Sequence, residues 1–466
     1  MDKASPQVAV IKMYAAREEI YPREAKGRYA SVRWLFVWLT QLVFYGLPWM
    51  NWNGRQAVLF DLAARKFYIF GIVLWPQDFI YLAALLIICA YSLFLFTAIF
   101  GRVWCGFACP QTVYTEIFMW VERQIEGSRS ARMRLDRQAA SLGKLSRKTA
   151  KHLVWAAIAL WTGFSFVGYF TPIHVLSAEV MALTLGSWEW FWVLFYSFAT
   201  YGNAGWMREQ VCKYMCPYAR FQSAMFDKDS LIVTYDTERG EPRGARNKND
   251  AENSKALGDC IDCSMCVQVC PTGIDIRNGL QYECIGCAAC VDACNSVMDK
   301  VGSPRGLVRF STEYAMKNRW SPAQMLRHAL RPRVLIYSAV LLMIVSVFFG
   351  TLFNRTPLKL DVIRDRGAMG REVENDMIEN VYRLQIMNTA ETPHRYRIDV
   401  SGIDGIHLET APVVALDATQ SLAVPVRVRL PQGQGNKGSN KIWFSLKAVD
   451  QDGLEVKEKA VFFVPR

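Results

Sequence analysis

The chain has 466 residues, of which 52% are hydrophobic and 13% aromatic, and its formal net charge at pH 7 is +12. Together these values indicate a membrane protein that also has sizeable soluble parts. A basic chain can bind nucleic acid, but here the excess charge lies beside apolar segments, which favours a role in membrane orientation. We therefore expect no nucleic-acid partner.

Five apolar segments have about the 20 residues that a helix needs to cross a bilayer. They are residues 34–50, 79–100, 153–170, 190–206 and 334–353. The fourth segment is the weakest of the five, because Asn203 and two glycines interrupt it. We predict an α-helical transmembrane bundle of about five spans.

The distribution of Lys and Arg predicts the orientation of this bundle. Residues 101–151 carry ten of these side chains, residues 51–78 carry three and residues 171–187 carry none. The positive-inside rule then places the N-terminus, residues 101–151 and residues 207–333 in the cytoplasm, and residues 354–466 in the periplasm. All thirteen cysteines lie between positions 89 and 294, and the twelve in motifs fall on the reducing side of the bacterial inner membrane.

Three connecting segments have readable patterns. Residues 54–78 are expected to form two short strands around a turn. Residues 110–126 are predicted to form an amphipathic interfacial helix that begins at Pro110. The basic loop 129–151 is interpreted as an orientation signal and a contact for anionic membrane lipid.

Two C-x3-C-P motifs follow predicted spans. Cys105 and Cys109 follow the second span, and Cys212 and Cys216 follow the fourth, so the chain contains a loose internal repeat. Residues four apart on a helix share a face, and four thiols would meet if the two hairpins pack side by side. Four soft thiolates suit Cu(I), zinc or a further iron–sulfur cluster. The alternative is that they are small buried core residues, but the repeated proline and topology favour a metal or redox site.

The cysteine pattern between residues 260 and 294 is the strongest functional signal in the chain. Each half has the C-x2-C-x2-C-x3-C spacing of a bacterial ferredoxin, in which the fourth cysteine of each run binds the cluster of the other run. Neither a zinc site nor a disulfide framework suits this pattern. The predicted ligands are Cys260, Cys263, Cys266 and Cys294 for the first [4Fe–4S] cluster, and Cys270, Cys284, Cys287 and Cys290 for the second.

Residues 371–466 alternate apolar and polar side chains in several short runs separated by turn residues, which is typical of a β-sandwich. The predicted organisation has four regions. Residues 1–226 comprise an N-terminal cytoplasmic segment and a membrane region of four spans with the two C-x3-C-P motifs. Residues 227–320 form a cytoplasmic α+β ferredoxin domain, whose leading loop is 227–258. Residues 321–354 contain the fifth span, and residues 355–466 form a periplasmic immunoglobulin-like sandwich.

These features together resemble the CcoG family, also known as FixG or RdxA, whose members are accessory proteins of cbb3-type cytochrome oxidases. The resemblance covers nearly the whole chain, including residues 55–61 (RQAVLFD) and 271–279 (PTGIDIRNG). The ferredoxin run combined with the C-x3-C-P pair narrows the choice to this family and the related NapH- and NosR-type polyferredoxins. Asn295 departs from the general ferredoxin pattern, which often has proline there, and leaves the ligand set intact.

The resemblance implies a cupric reductase that supplies Cu(I) for the copper–haem centre of the oxidase. It implies two [4Fe–4S] clusters on the eight ferredoxin cysteines, with copper handled at Cys105, Cys109, Cys212 and Cys216. The implied partners are a cytoplasmic electron donor, a copper transporter or chaperone and the oxidase subunits, while dimerisation is left open.

Two other interpretations fit the same residues. In the first, the protein is an electron carrier between quinol or a soluble donor and a partner enzyme, as the NapH-type relatives suggest, and the C-x3-C-P thiols bind a third cluster. In the second, it is an assembly scaffold whose clusters are structural and whose sandwich binds oxidase subunits.

Overall fold

The computed structural model describes residues 19–223, 225–245, 257–365, 370–374, 376–410, 412–451 and 453–465. The start of the N-terminal segment, residues 246–256 of the predicted leading loop and Asp452 in the predicted sandwich lie outside the described residues. The chain divides into two compact units. The first comprises the chain up to Leu47 with Ile88–Gly168 and Leu176–Leu341, and the second comprises Pro48–Ile87, Tyr169–Val175 and Leu342–Arg466.

Four helices in the described part of the chain are long and apolar enough to cross a membrane. They are Arg28–Trp49, Pro76–Phe100, Leu142–Val167 and Pro332–Phe353. The predicted fourth span is not among them, because its α-helix, Ser187–Tyr201, has 15 residues and continues as the π-helix Gly202–Met207. The count of five spans therefore stays a prediction.

The segment predicted as a basic loop is mostly helical. The helix Arg129–Arg137 occupies its first part, and Leu142–Val167 begins eleven residues before the predicted third span. Ser141 accepts a hydrogen bond from the backbone N–H of Lys144, which satisfies a free donor at the start of this long helix. The predicted helix over residues 110–126 is confirmed as Pro110–Glu126.

The helix Leu142–Val167 packs closely against Ser187–Tyr201. A Cβ atom at Gly163 would collide with the carbonyl oxygen of Val193 and the Oγ atom of Ser197, so only glycine permits this approach. The other helices outside the ferredoxin region are Val103–Phe107, Ile173–Ala182, the π-helix Val211–Met215, Pro217–Ser223, Glu313–Asn318 and Pro322–Ala329.

The ferredoxin region combines one two-stranded sheet with short helices. The strands Ile232–Tyr235 and Val308–Ser311 pair antiparallel. The first of them lies in the segment expected as a loop, and it forms because Val233 and Tyr235 alternate into the core. The helices of the region are Thr237–Gly240, Met265–Gln268, the 3₁₀ turn Ile276–Asn278 and Ala289–Val301.

The second unit contains the predicted sandwich, built from two antiparallel sheets. Tyr382 and Phe444 are fully buried between the sheets, and the Tyr382 hydroxyl donates to the carbonyl oxygen of Val461 at 2.9 Å. The first sheet has the order His407–Leu408, Ser421–Pro431, Met377–Asn388 and Leu358–Arg364, with Arg371–Val373 also paired to Met377–Asn388. The second has the order Val413–Leu416, His394–Ser401, Gly438–Ala448 and Glu455–Val464.

The expected hairpin within residues 54–78 is also present in the second unit. These residues form four strands instead of the predicted two, and a 3₁₀ turn, Pro76–Asp78, follows them. The sheet comprises Val58–Asp61, Lys66–Ile69 and Ile72–Leu74, and the short pair Asn51–Trp52 and Arg55–Gln56 precedes it.

Candidate metal centres

The structure brings Cys260, Cys263, Cys266 and Cys294 together around one small cavity. Cys266 lies in the helix Met265–Gln268, and Cys294 reaches the cavity from the helix Ala289–Val301. Burial and the three neighbouring cysteines raise the pKa of the Cys294 thiol to about 12. These are the four cysteines that the ferredoxin spacing assigns to the first cluster.

A second cavity is lined by five cysteines, Cys266, Cys270, Cys284, Cys287 and Cys290. Burial raises the pKa of Cys284 to about 12 and raises that of Cys290 well above its usual range. Burial therefore disfavours the thiolate forms of Cys284 and Cys290 unless a positive centre binds them, and iron supplies that charge.

The backbone around both cavities repeats the same conformation. Asp262 and Ser264 of the first run have positive φ angles, and Gly286 and Ala288 occupy the same positions of the second run with positive φ. Successive left-handed turns direct backbone N–H groups into a concavity, which favours a group of negative charge. Both donor sets therefore fit a [4Fe–4S] cluster, whose thiolate-bound form is anionic.

The two C-x3-C-P motifs differ from the expected helical arrangement. Cys105 lies in the helix Val103–Phe107, but Cys109 is extended, and Cys216 is extended just after the π-helix that contains Cys212. The prediction that each pair shares one helix face is wrong. The physical reason is the proline that follows each second cysteine, because its ring disfavours the helical conformation in the preceding residue.

The four thiols nevertheless lie within electrostatic range of one another. Burial raises the pKa of Cys105 to about 12 and of Cys212 to about 11, and in both cases neighbouring motif cysteines, Cys109 among them, add to the effect. The charge of Cys216 likewise raises the pKa of Cys109, after burial as the main cause. The fully buried amide of Gln222, which sequence analysis missed, lies 3.5 Å from the Cys105 sulfur.

No group of three or more His, Cys, Asp or Glu side chains within the described ranges is arranged to bind a single metal ion. The eight ferredoxin cysteines instead line two separate cavities, in the two groups that their sequence spacing predicts for polynuclear clusters. As placed, the four C-x3-C-P thiols also do not form a compact mononuclear site.

The helix Val103–Phe107, which carries the first cysteine of the first C-x3-C-P motif, is in direct contact with the wall of the second ferredoxin cavity. A Cβ atom at Gly106 would lie 2.7 Å from both the Cα and the backbone nitrogen of Cys287. The next side chain, Phe107, is buried in the hydrophobic core of the ferredoxin region. This segment and the cavity wall therefore pack directly against each other.

Two buried arginines strengthen this contact. Arg102 donates to the carbonyl oxygens of Tyr282, of Cys284 at 3.2 Å and of Ala219 at 2.8 Å. Arg33 donates to the carbonyl oxygen of Cys287 at 2.6 Å. Neither arginine is predicted as a functional residue from the sequence, although Arg102 lies three residues before the first motif, and that position is a usable signal.

A carboxylate joins the ferredoxin region to the first long helix. Asp292 accepts hydrogen bonds from the backbone N–H of Ala30 at 2.7 Å and of Tyr29 at 3.2 Å. Both donors lie in the first turn of the helix Arg28–Gly46, where backbone N–H groups have no partner within the helix. Asp292 therefore acts as an N-cap supplied by another element.

The predicted basic loop contributes to a buried ionic network. The Glu122 carboxylate contacts Arg132 at 2.8 Å, Arg208 at 3.2 Å and Lys151 at 3.5 Å. Burial alone would raise the pKa of Glu122, but the three cations hold it below its ordinary value. Arg208, which follows the predicted fourth span, therefore belongs to this network.

Family profiles match three parts of the chain. A profile described as "4Fe-4S dicluster domain" matches residues 207–313, and one described as "4Fe-4S binding domain" matches residues 82–127. A third, described as an "IG-like fold at C-terminal of FixG", matches residues 348–465. The fold and the centres thus define a class: membrane proteins that transfer electrons through iron–sulfur clusters and end in an immunoglobulin-like domain.

Three curated relatives are similar over most of their length. The nitrogen fixation protein FixG of Rhizobium meliloti is 37% identical over 95% of this chain and 92% of its own. The RdxB protein of Cereibacter sphaeroides is 38% identical over 92% of this chain and 92% of its own length. The RdxA protein of the same organism is 38% identical over 90% of this chain and 91% of its own length. The chain belongs to the FixG/RdxA family, and the resemblance inferred from its motifs is confirmed.

Proposed function

We propose that this chain reduces Cu(II) to Cu(I) at its C-x3-C-P thiols, with electrons from the ferredoxin region, for assembly of the copper centre of a cbb3-type cytochrome oxidase. The observation that carries the proposal is the packing of Gly106 against Cys287, which brings the two cysteine sites into backbone contact. An electron that is held near Cys287 can therefore pass to the thiol site without crossing solvent.

The eight ferredoxin cysteines hold the two clusters in this proposal, divided between them as their spacing predicts. Bound clusters supply one-electron storage and transfer. The residues of the chain place the two sites side by side: Gly106 of the first C-x3-C-P motif contacts the backbone of Cys287, and Arg102 hydrogen-bonds to carbonyl oxygens of the ferredoxin region.

The thiol site suits the product of the reaction better than the substrate. Cu(I) is a soft ion that prefers thiolates, whereas Cu(II) is satisfied by nitrogen and oxygen ligands. Because burial keeps the pKa of Cys105 and Cys212 high, copper binding must displace their protons. The partly buried thiols then shield Cu(I) until a copper chaperone, a copper transporter or an oxidase subunit receives it.

The proposed location is the bacterial inner membrane. The excess of Lys and Arg in residues 101–151 supports a cytoplasmic ferredoxin region, and an odd number of spans then places the sandwich in the periplasm. On that side the sandwich is available to the oxidase subunits.

One observation favours a second function, that of an electron carrier with three clusters. The profile described as "4Fe-4S binding domain" covers residues 82–127, which include Cys105 and Cys109. The iron content of the purified protein distinguishes the reductase from the carrier, since each [4Fe–4S] cluster has four irons. About eight irons per chain with bound copper support the reductase, and about twelve irons support the carrier.

The direct test uses the full chain in detergent with its ferredoxin clusters loaded. The protein is reduced with dithionite, freed of excess reductant and mixed anaerobically with Cu(II) and a Cu(I)-specific chelator. We expect coloured Cu(I) complex from the wild type and little from a Cys105/Cys109/Cys212/Cys216→Ser variant. Cys89→Ser, at an exposed cysteine outside all motifs, is the matched control. No Cu(I) from reduced wild type with intact clusters would refute the proposal.

A further inference from the structure

A buried amide lies beside the first C-x3-C-P motif. Gln222 is fully buried, and its side-chain nitrogen Nε2 lies 3.5 Å from the Cys105 sulfur. The amide oxygen Oε1 lies 3.6 Å from the same sulfur. Hydrogen bonds to sulfur are longer than those to oxygen because the sulfur atom is larger, so both distances are in range. The contact therefore holds whichever way the amide plane is turned.

The helix that carries Gln222 connects the two motifs. This helix, Pro217–Ser223, begins directly after Cys216 of the second motif. The Arg102 guanidinium, three residues before the first motif, donates to the carbonyl oxygen of Ala219 at 2.8 Å. The start of the helix thus follows a cysteine of the second motif, and its end contacts a cysteine of the first.

Tyr218 fixes the same helix to the second span. Its hydroxyl lies within hydrogen-bonding distance of the Oγ1 atom of Thr97 and of the carbonyl oxygen of Leu93. Thr97 is fully buried in the helix Phe79–Phe100. Tyr218 and Gln222 are four residues apart, so they lie on the same face of their helix. Gln222 therefore belongs to an anchored face, with its amide held beside Cys105.

Burial of this amide is favourable only if its hydrogen-bond partner is a good one. An amide that leaves water without gaining a hydrogen bond loses free energy of hydration. A neutral thiol is both a weak donor and a weak acceptor. A thiolate is a stronger acceptor, because hydrogen bonds to an ionised group are about twice as strong as neutral ones. The position of Gln222 therefore suits the thiolate form of Cys105, which is the form that binds metal.

The backbone next to Cys105 is already engaged. Cys105 lies inside the helix Val103–Phe107, where the N–H of Gly106 bonds to the carbonyl oxygen of Arg102 at 3.1 Å. That N–H group is not available to the sulfur, so a side chain is the expected source of a donor. The Gln222 amide occupies the required position.

We propose that Gln222 is a positioning residue for the metal centre of the C-x3-C-P thiols. In the metal-free protein the Cys105 S–H donates to Oε1 of Gln222. When the sulfur binds metal, its S–H bond breaks and the proton is released to solvent, and the Nε2–H of the same amide then donates to the thiolate. The amide has a partner in both forms without turning. The inference rests on the part of the proposed function that places a metal at these thiols.

The affinity of the thiol site for Cu(I) tests the proposal. The full chain in detergent, with its ferredoxin clusters loaded, is titrated anaerobically with Cu(I) in competition with a Cu(I)-specific chelator. Gln222→Met keeps nearly the same length and volume but has no N–H. We expect its affinity to be lower by about tenfold or more, as for other hydrogen-bond partners of metal ligands. Gln138→Met, at an exposed glutamine outside both cysteine sites, is the matched control and should bind Cu(I) as the wild type does.

A spectroscopic measurement distinguishes positioning from packing. The N–H bond stabilises the electrons of the thiolate, so its loss should move the ultraviolet thiolate-to-copper absorption band to longer wavelength. The band is read from the difference between copper-loaded and copper-free protein. Ferredoxin absorbance should be the same in wild type, Gln222→Met and Gln138→Met. Equal Cu(I) affinity in Gln222→Met and wild type overturns the proposal, and so does loss of the ferredoxin clusters in Gln222→Met, which would assign the amide to packing.

The outcomes also separate this inference from the copper proposal. If wild type binds Cu(I) more tightly than Gln222→Met but its reduced clusters do not reduce Cu(II), the copper proposal is wrong and the inference stands. If the thiols hold a third cluster instead, an iron chelator should remove that cluster about tenfold faster from Gln222→Met than from wild type, and equal rates overturn the inference. If they hold neither copper nor a cluster, both are wrong.

Discussion

Gly106 lies directly against the backbone of Cys287, with a Cβ position only 2.7 Å from two backbone atoms of that cysteine. Gly106 belongs to a C-x3-C-P motif and Cys287 to a ferredoxin run that is 181 positions further along the chain. A side chain at position 106 cannot fit unless the two loops separate. Adding one methyl group at position 106 is therefore expected to increase the distance between the two cysteine sites.

Replacing Gly106 with alanine should therefore slow electron transfer while leaving both clusters in place. We expect reoxidation of the reduced clusters by Cu(II) to slow by ~10-fold or more, since small displacements of reacting groups have effects of that size. Stopped-flow absorbance gives the rate. Gly143→Ala is the control, because a Cβ atom at Gly143 meets nothing within 4 Å. Equal rates in Gly106→Ala and wild type would contradict the proposed route.

Arg102 should be needed to hold the ferredoxin region in place. Arg102→Lys keeps the charge but cannot donate to three carbonyl oxygens at once in the same geometry. We expect a loss of about 1–3 kcal/mol in the free energy of unfolding, because buried acceptors lose their donors. The destabilisation is measured as a lower midpoint temperature for the thermal loss of cluster absorbance. An unchanged midpoint in Arg102→Lys would show that the positive charge, without the hydrogen bonds of arginine, is enough to hold the ferredoxin region in place.

Asp292→Ala should weaken the connection between the ferredoxin helix and the first long helix. Two backbone N–H groups lose their acceptor, and removal of such a cap costs about 0.5–2 kcal/mol. The thermal midpoint of cluster loss should fall accordingly. Asp299→Ala, on the same helix but exposed and paired with Arg305, should leave the midpoint unchanged. Similar shifts in both variants would argue against a specific cap.

The stability contributed by Glu122 should depend on pH in a defined direction. Its pKa in the folded protein is held below the ordinary value of 4.5, so the contribution is fully present above that pH and is lost as the pH falls through the folded-state pKa. Glu122→Gln leaves the buried Arg132 without its carboxylate partner and weakens the pairing of Arg208 and Lys151, although Lys151 keeps Glu126 at 2.9 Å; it should cost about 3–5 kcal/mol near neutral pH.

The corresponding measurement is the thermal midpoint of wild type and Glu122→Gln across a pH series. The difference between the two should be constant above pH 4.5 and should shrink below it. Glu313→Gln, at an exposed ion pair with Lys228, provides the baseline. A difference that grows on acidification would contradict the assigned direction.

Features encoded by local spacing could be predicted from the sequence alone. The double cysteine run indicated the two cluster-binding groups, because thiolate spacing is itself the constraint that a cluster imposes. Apolar stretches indicated the helices 79–100 and 334–353, and the alternation after residue 371 indicated the sandwich. Each of these signals lies within a short segment, so no knowledge of distant contacts was needed.

Only the tertiary structure decided which parts of the chain meet. The proline after each C-x3-C pair ended the helix that the spacing had suggested, and the basic side chains Arg132 and Lys151 turned out to pair with Glu122. The contact of Gly106 with Cys287, and a cavity lined by both Cys212 and Cys287, join residues that are far apart in the chain. Such contacts depend on complementary shape and burial across several elements, and these properties leave no periodic trace in the sequence.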